Sequence, residues 1–274
     1  MMIPKHFEEI VLKKFGFDFS PTQKEAVEHF VRFLFESEAE SLFLLKGYAG
    51  TGKTSLVSAI VNTLLALEYR VVLLAPTGRA AKVFSSYAGH PAFTIHKKIY
   101  RQKNETDGEG FFDLGFNAGA NTLFFVDEAS MISNMDTEGH FGSGCLLDDL
   151  VRFVYNGRRN RLVLIGDVAQ LPPVGLDVSP ALDRRELQAA YHFSITEVNL
   201  TDIMRQAEAS GILYNATQVR RLIGEFPCFE GGTFSGCFPH RGRGVAGGDG
   251  DLLWQVRGGG NDGGVPFQQK GEPL

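Results

Sequence analysis

Leu42-Phe43-Leu44-Leu45-Lys46-Gly47-Tyr48-Ala49-Gly50-Thr51-Gly52-Lys53-Thr54 is the stretch from which the rest of the chain can be read. Its first four residues are apolar and predict a buried strand. Gly47 to Thr54 then fits G-x-x-x-x-G-K-[ST], and a helical pattern runs from Ser55 to Leu67. Strand, glycine-rich loop and helix in that order form the context in which such a loop cradles phosphate. Glycines let the backbone curl so that its N–H groups point at phosphate oxygens, and the positive end of the following helix adds to the attraction. Gly47, Gly50, Gly52, Lys53, Thr54 and Ser55 are therefore the candidate nucleotide-binding set. Lys53 is placed for the β- and γ-phosphates and the Thr54 hydroxyl for Mg²⁺. The competing reading is a glycine-rich turn with a surface lysine, and the flanking strand and helix argue against it.

The chain has 274 residues, 43% of them hydrophobic, enough for one large domain or two small ones with a real core. A net charge of −5 announces no overall affinity for nucleic acid, but a local basic groove stays open. Cys145, Cys228 and Cys237 show no zinc spacing and suit a reducing cytoplasm. Residues 1–15 are charged and amphipathic, unlike a signal peptide. No apolar run reaches the ~18 residues of a membrane helix. A soluble, cytoplasmic protein is expected.

A short amphipathic helix is predicted over Lys5 to Phe15, and a longer one from Pro21 to Phe35 with Ser20 as its N-cap. Gln23 lies in the first turn of the second helix. Its amide suits an adenine edge, although a glutamine there is ordinarily solvated. Arg70 to Ala75 predicts a second strand and Arg79 to Tyr87 a helix. Thr94, His96 and Lys97 then either line a polynucleotide backbone or form a solvated loop and helix start. Residues 101–121, polar and glycine-rich around Phe111, Phe112 and Phe116, suggest a small hairpin.

Leu123 to Val126 is a third apolar strand, and it delivers two adjacent carboxylates. That is the Walker B arrangement, with Asp127 for Mg²⁺ and Glu128 for the attacking water. A loop over 134–144, a helix from Cys145 to Tyr155 and a fourth strand from Arg161 to Ile165 follow. Gln170, just past that strand, is placed to sense a γ-phosphate. A strand over 197–200 and a helix over 202–222 complete the patterned part, with Arg205 in the first turn of that helix.

The composition shifts near Gly224. Fourteen of the thirty-two glycines fall in 225–274, with no helical or strand period, so the segment cannot bury enough apolar area to offset its chain entropy. A low-order tail over 224–274 is expected.

Taken together, residues 19–222 resemble the first motor domain of superfamily 1 DNA helicases, in the RecD-like and Dda-like 5′-to-3′ branch. The carrying stretches are Phe19 to Gln23, Gly47 to Thr54, Ala75 to Lys82, Thr94 to His96, Val126 to Met131, Gly166 to Pro173 and Leu200 to Gln206. The resemblance implies that Gln23 contacts adenine and that Pro76, Thr77, Thr94 and His96 line single-stranded DNA. It implies that Gln170 couples the γ-phosphate to DNA and that Arg205 is an arginine finger. It places residues 97–121 where the family inserts a strand-separating pin.

The expected fold is α/β: a P-loop NTPase, RecA-like parallel sheet with helices on both faces over residues 1–223. Nothing after Ile223 resembles the family's second motor domain, and the junction reads as a frameshifted or truncated gene. The expected activity is ATP hydrolysis with Mg²⁺ on single-stranded DNA, slow and without duplex unwinding. The candidate catalytic set is Lys53, Glu128, Gln170 and Arg205. A P-loop switch that binds a protein partner, and an inert nucleotide-binding remnant, are the alternatives. ATPase activity stimulated by DNA separates the first reading from both.

Overall fold

The computed structural model describes residues 4–35, 40–102, 112–132, 141–170, 173, 176 and 179–202. Apart from Asp202, the expected helix over 202–222 lies outside the described residues, as do Arg205, the 224–274 tail, residues 103–111 and most of the 134–144 loop.

Six strands form one sheet: β1 (Ser41–Gly47), β2 (Arg70–Ala75), β3 (Ala92–Thr94), β6 (Thr122–Val126), β7 (Arg161–Gly166) and β8 (Ser194–Leu200). Their order is β3-β2-β6-β7-β1-β8, and every pairing is parallel. The P-loop strand β1 and the acidic strand β6 are thus not neighbours, because β7 lies between them. Anything at the end of β7 falls between phosphate loop and carboxylates.

A parallel sheet needs cover on both faces, so its strands read as unbroken apolar runs. Alternate residues feed two cores. Phe43, Leu45, Leu123, Phe125, Val163 and Ile165 join the first with α1 (Pro4–Phe15), α2 (Pro21–Phe35), α3 (Lys53–Ala66) and α4 (Gly78–Ala88). Leu42, Leu44, Phe124, Val126, Leu162 and Leu164 join the second with α5 (Ile95–Ile99), α6 (Leu146–Tyr155) and α7 (Arg184–Tyr191). The first core is rich in phenylalanine, with the Phe30 and Phe43 rings meeting edge to face at 5.3 Å. No helix among the described residues is long and apolar enough to cross a membrane.

Two expectations need correction. Residues 92–94 are not a solvated loop: they form β3, the edge strand, in register with Leu73 to Ala75 of β2. Gln23 is not solvated either, being 0% exposed.

Within the segment expected to hold a small hairpin, β4 (Tyr100–Gln102) pairs antiparallel with β5 (Phe112–Leu114). Its base is tied to the body. Asp149 of α6 is buried and accepts from the Tyr100 hydroxyl at 2.8 Å and from Ser143 N at 2.9 Å. Gly142 N donates to Phe112 O at 2.8 Å. Gly142 has φ +48, and a Cβ there would lie 2.1 Å from the Asp149 carboxylate, so the position requires glycine.

Candidate nucleotide and DNA site

The P-loop runs from the end of β1 into α3. Thr51 shapes it, donating from N (3.3 Å) and Oγ1 (2.8 Å) to Tyr48 O. Gly52, at φ +76, is the N-cap of α3. Lys53, the first helical residue, turns back and donates from Nζ to Gly47 O at 2.5 Å. Thr54 and Ser55 are exposed in the first turn, where helix N–H groups lack intrahelical partners.

Gln23 belongs to this loop's support. Ser20 Oγ accepts from Gln23 N at 3.3 Å, and Gln23 Oε1 accepts from Ser20 N at 3.0 Å. This reciprocal capping box closes the start of α2. The other end of the amide, Nε2, donates to Thr51 O at 3.0 Å, linking the cap to the P-loop. Asp202, just after β8, accepts from Thr22 N (2.9 Å) and Thr22 Oγ1 (2.8 Å). Those bonds, the backbone one first, hold its carboxyl below the usual aspartate range against a smaller desolvation.

The carboxylates follow β6. Asp127 Oδ1 accepts from Glu128 N at 3.0 Å, and Oδ2 accepts from the Tyr87 hydroxyl at the last turn of α4. Burial foremost, then the charge of Asp127 and this hydrogen bond, push the Tyr87 hydroxyl above its ordinary range. Glu128 sits at φ +54, a left-handed conformation that few non-glycine residues adopt. Desolvation raises its pKa first, and the neighbouring Asp127 charge raises it further. A hydrogen bond from Gln170 and the charge of Lys53 pull it down, while Asp167 adds to the rise.

Gln170 lies within this site. Its Oε1 accepts from Ser130 Oγ at 2.8 Å, and its nearby amide helps hold the Glu128 pKa down. The turn that places it is fixed by Asp167, 4% exposed, whose Oδ1 accepts from Ala169 N at 2.9 Å. Lys53, Glu128 and Gln170 are thus brought together across β1, β7 and β6. Sequence reasoning missed Thr51, Ser130, Asp167 and Tyr87. Thr51, Ser130 and Asp167 lay inside recognisable motifs, whereas a lone tyrosine at a helix end gives no local signal.

Of the DNA candidates, Pro76, Thr77 and Thr94 gather at the adjoining ends of β2 and β3, where Ala75 pairs with Thr94. Both threonines cap helices: Thr77 Oγ1 accepts from Ala80 N and Thr94 Oγ1 from Lys97 N, each at 3.2 Å. His96 is placed differently. Its ring packs against Phe141 at 5.2 Å and Tyr100 at 5.6 Å, within the aromatic group at the hairpin base.

The Walker motifs imply Mg²⁺, and the donors suit it. The Thr54 hydroxyl and the Asp127 carboxylate are hard oxygen donors, matching an ion that draws its other ligands from water and phosphate. Among the described residues no three His, Cys, Asp or Glu form a cluster, so a cage built wholly of acidic and imidazole side chains is not what this site offers.

The family model for the AAA domain matches residues 18–221. The ATP-dependent RecD2 DNA helicase of Deinococcus radiodurans is 30% identical over 188 residues, covering 69% of this chain and 22% of that protein. The probable conjugal transfer protein TraA of Sinorhizobium fredii is 29% identical over 162 residues, covering 57% of this chain and 12% of its own. The chain thus spans a small part of the length of these two relatives. Among solved structures it is similar to a Pif1 helicase from Bacteroides in complex with ADP-AlF3 and ssDNA, at 17% identity and a TM-score of 0.43. That match covers 75% of this chain and 47% of the other.

Proposed function

The chain belongs to the AAA domain family and carries a helicase-like ATPase motor domain, and on that premise we propose that it hydrolyses ATP in the cytoplasm in response to single-stranded DNA. The observation that carries this reading is the place of Gln170 just past β7, between the P-loop strand and the acidic strand, with its Oε1 bonded to Ser130 Oγ. A water activator tied to a neighbouring polar side chain is what a coupled ATPase needs, since movement of one can gate the other.

The roles divide as follows. Backbone N–H groups from Gly47 to Ser55 and the Lys53 ammonium hold the phosphates. Gln23 is proposed for the adenine, a contact that requires its buried amide to exchange its bonds to Ser20 and Thr51 for the base. Thr54 and Asp127 would hold Mg²⁺, which would supply neutralisation of the phosphate charge. Glu128 takes a proton from the attacking water. Its raised pKa brings its basicity closer to that task, because a general base works best with a pKa near the working pH. Gln170 orients Glu128 and reports on the γ-phosphate. Arg205 is proposed as the arginine finger, three residues beyond Asp202, which is itself bonded to the first turn of α2. Pro76, Thr77, Thr94 and His96 form the DNA-facing rim, the first three at the ends of β2 and β3 and His96 packed on the hairpin base.

The sign of the pH dependence follows from Glu128. The base acts deprotonated, so burial that raises its pKa moves the acid limb of hydrolysis above the ordinary glutamate range. Gln170→Ala removes a bond that lowers that pKa, so the limb is expected to move to higher pH. A pH–rate profile of wild type and variant reads this directly, and a limb that stays put or moves down contradicts the assignment.

The DNA assignment is tested by fluorescence anisotropy of labelled oligo(dT) with the full chain. Binding is expected at low salt and is expected to weaken linearly in log Kd against log salt, as counterion release requires. Absence of binding at low salt favours the protein-partner switch.

A further inference from the structure

We propose that Tyr87 is a positioning residue of the metal site, holding the Asp127 carboxylate in the orientation that receives Mg²⁺. The inference rests on reading Asp127 as a metal ligand. Tyr87 lies outside the P-loop and the acidic strand, in the last turn of α4, yet its hydroxyl donates to Asp127 Oδ2. The other carboxylate oxygen, Oδ1, accepts from Glu128 N at 3.0 Å. Each oxygen thus has one donor fixing it, and the torsion about the carboxylate is set from both sides. An oxygen with one lone pair committed keeps a second for an ion or an ion-bound water.

Tyr87 is itself held in place by three constraints. Its ring packs on Phe84 at 5.2 Å, its carbonyl accepts from Ser58 Oγ of α3 at 2.7 Å, and Gly89 ends the helix in a left-handed turn at φ +63. The hydroxyl is therefore presented by a rigid support, as residues that orient a metal ligand from behind must be. Ser58 stands one turn beyond Thr54 on α3, so the same helix that offers the Thr54 hydroxyl also fixes the helix end that carries Tyr87.

α4 also begins at Thr77, among the DNA candidates. One helix thus spans from the proposed DNA rim to the carboxylate of the metal site, which gives Tyr87 a physical connection to both.

The test uses the full chain saturated with ADP and titrated with Mn²⁺, with free Mn²⁺ read by electron paramagnetic resonance. Wild type, Tyr87→Phe and Asp127→Asn are compared. Phenylalanine keeps the ring contact with Phe84 and removes one oxygen, and the melting temperature of each variant checks folding. The Mn²⁺ Kd is expected to rise about ten-fold in Tyr87→Phe, the lower range for loss of an outer-shell partner. ADP affinity measured in EDTA is expected to stay at the wild-type value, which a general loss of site structure would not allow. A Tyr87→Phe Kd equal to or tighter than wild type, with Asp127→Asn weakened, overturns the role of Tyr87 and leaves Asp127 as the ligand. If Asp127→Asn binds Mn²⁺ as wild type does, the metal assignment itself fails and the inference falls with it.

Discussion

Glu128→Gln is expected to slow ATP hydrolysis by about 10²–10⁴-fold, the usual contribution of a positioned general base, while ATP binding survives. The amide is nearly isosteric with the carboxylate, so the left-handed backbone at Glu128 and the contact with Gln170 can persist. What is lost is the proton acceptor. Binding is expected to hold or tighten, because one negative charge leaves a site that already contains Asp127 and Asp167 and must receive a triphosphate. Single-turnover hydrolysis and equilibrium binding of a fluorescent ATP analogue separate the two effects. Near wild-type hydrolysis in this variant would remove Glu128 from the chemistry. Loss of binding would mean that its main task is structural.

Lys53→Ala is expected to weaken ATP affinity by about a hundred-fold, since a lost charge-assisted bond is worth ~1.5–3 kcal/mol and each 1.4 kcal/mol is a factor of ten. Lys53 is the first residue of α3 and bonds Gly47 O, so its ammonium already lies across the mouth of the loop that would cradle phosphate. Truncation removes that cation and leaves Gly52 and the helix start intact. The melting temperature is therefore expected to change little, whereas affinity measured by calorimetry falls. Unchanged ATP affinity would place the phosphates elsewhere.

The strands were legible because both sheet faces are covered. Leu42 to Leu45, Leu123 to Val126 and Leu162 to Ile165 are continuous apolar runs for that reason, and each ends in its motif. β3 escaped notice because three residues at a sheet edge, with Phe93 exposed, carry no period. Helix α7 escaped for a related reason. Only Leu187 of its eight residues is buried, so there is no apolar stripe to find, and its start is set by Asp183 accepting from Arg185 N and Glu186 N.

The site divides the same way. Lys53, Asp127, Glu128 and Gln170 could be chosen because strand ends deliver them in sequence-local motifs. The partners that set their geometry come from far along the chain: Gln23 with Thr51, Tyr87 with Asp127, and Thr22 with Asp202. Such pairs arise from the strand order, in which β2 lies beside β6 and β8 beside β1, and no local pattern encodes them. Gln23 shows the limit most plainly. The residue type suggested a contact with adenine or with solvent, and the structure adds a third task, closing the cap of α2 and holding the P-loop at once.

The central claim is that this ATP site answers to single-stranded DNA. The most direct measurement is the rate of ATP hydrolysis by the full chain, with Mg²⁺, as oligo(dT) is titrated in at low salt, with Lys53→Ala and Glu128→Gln beside wild type. The account predicts a saturable rise in rate with DNA that both variants abolish. A wild-type rate that stays the same at every DNA concentration would contradict it.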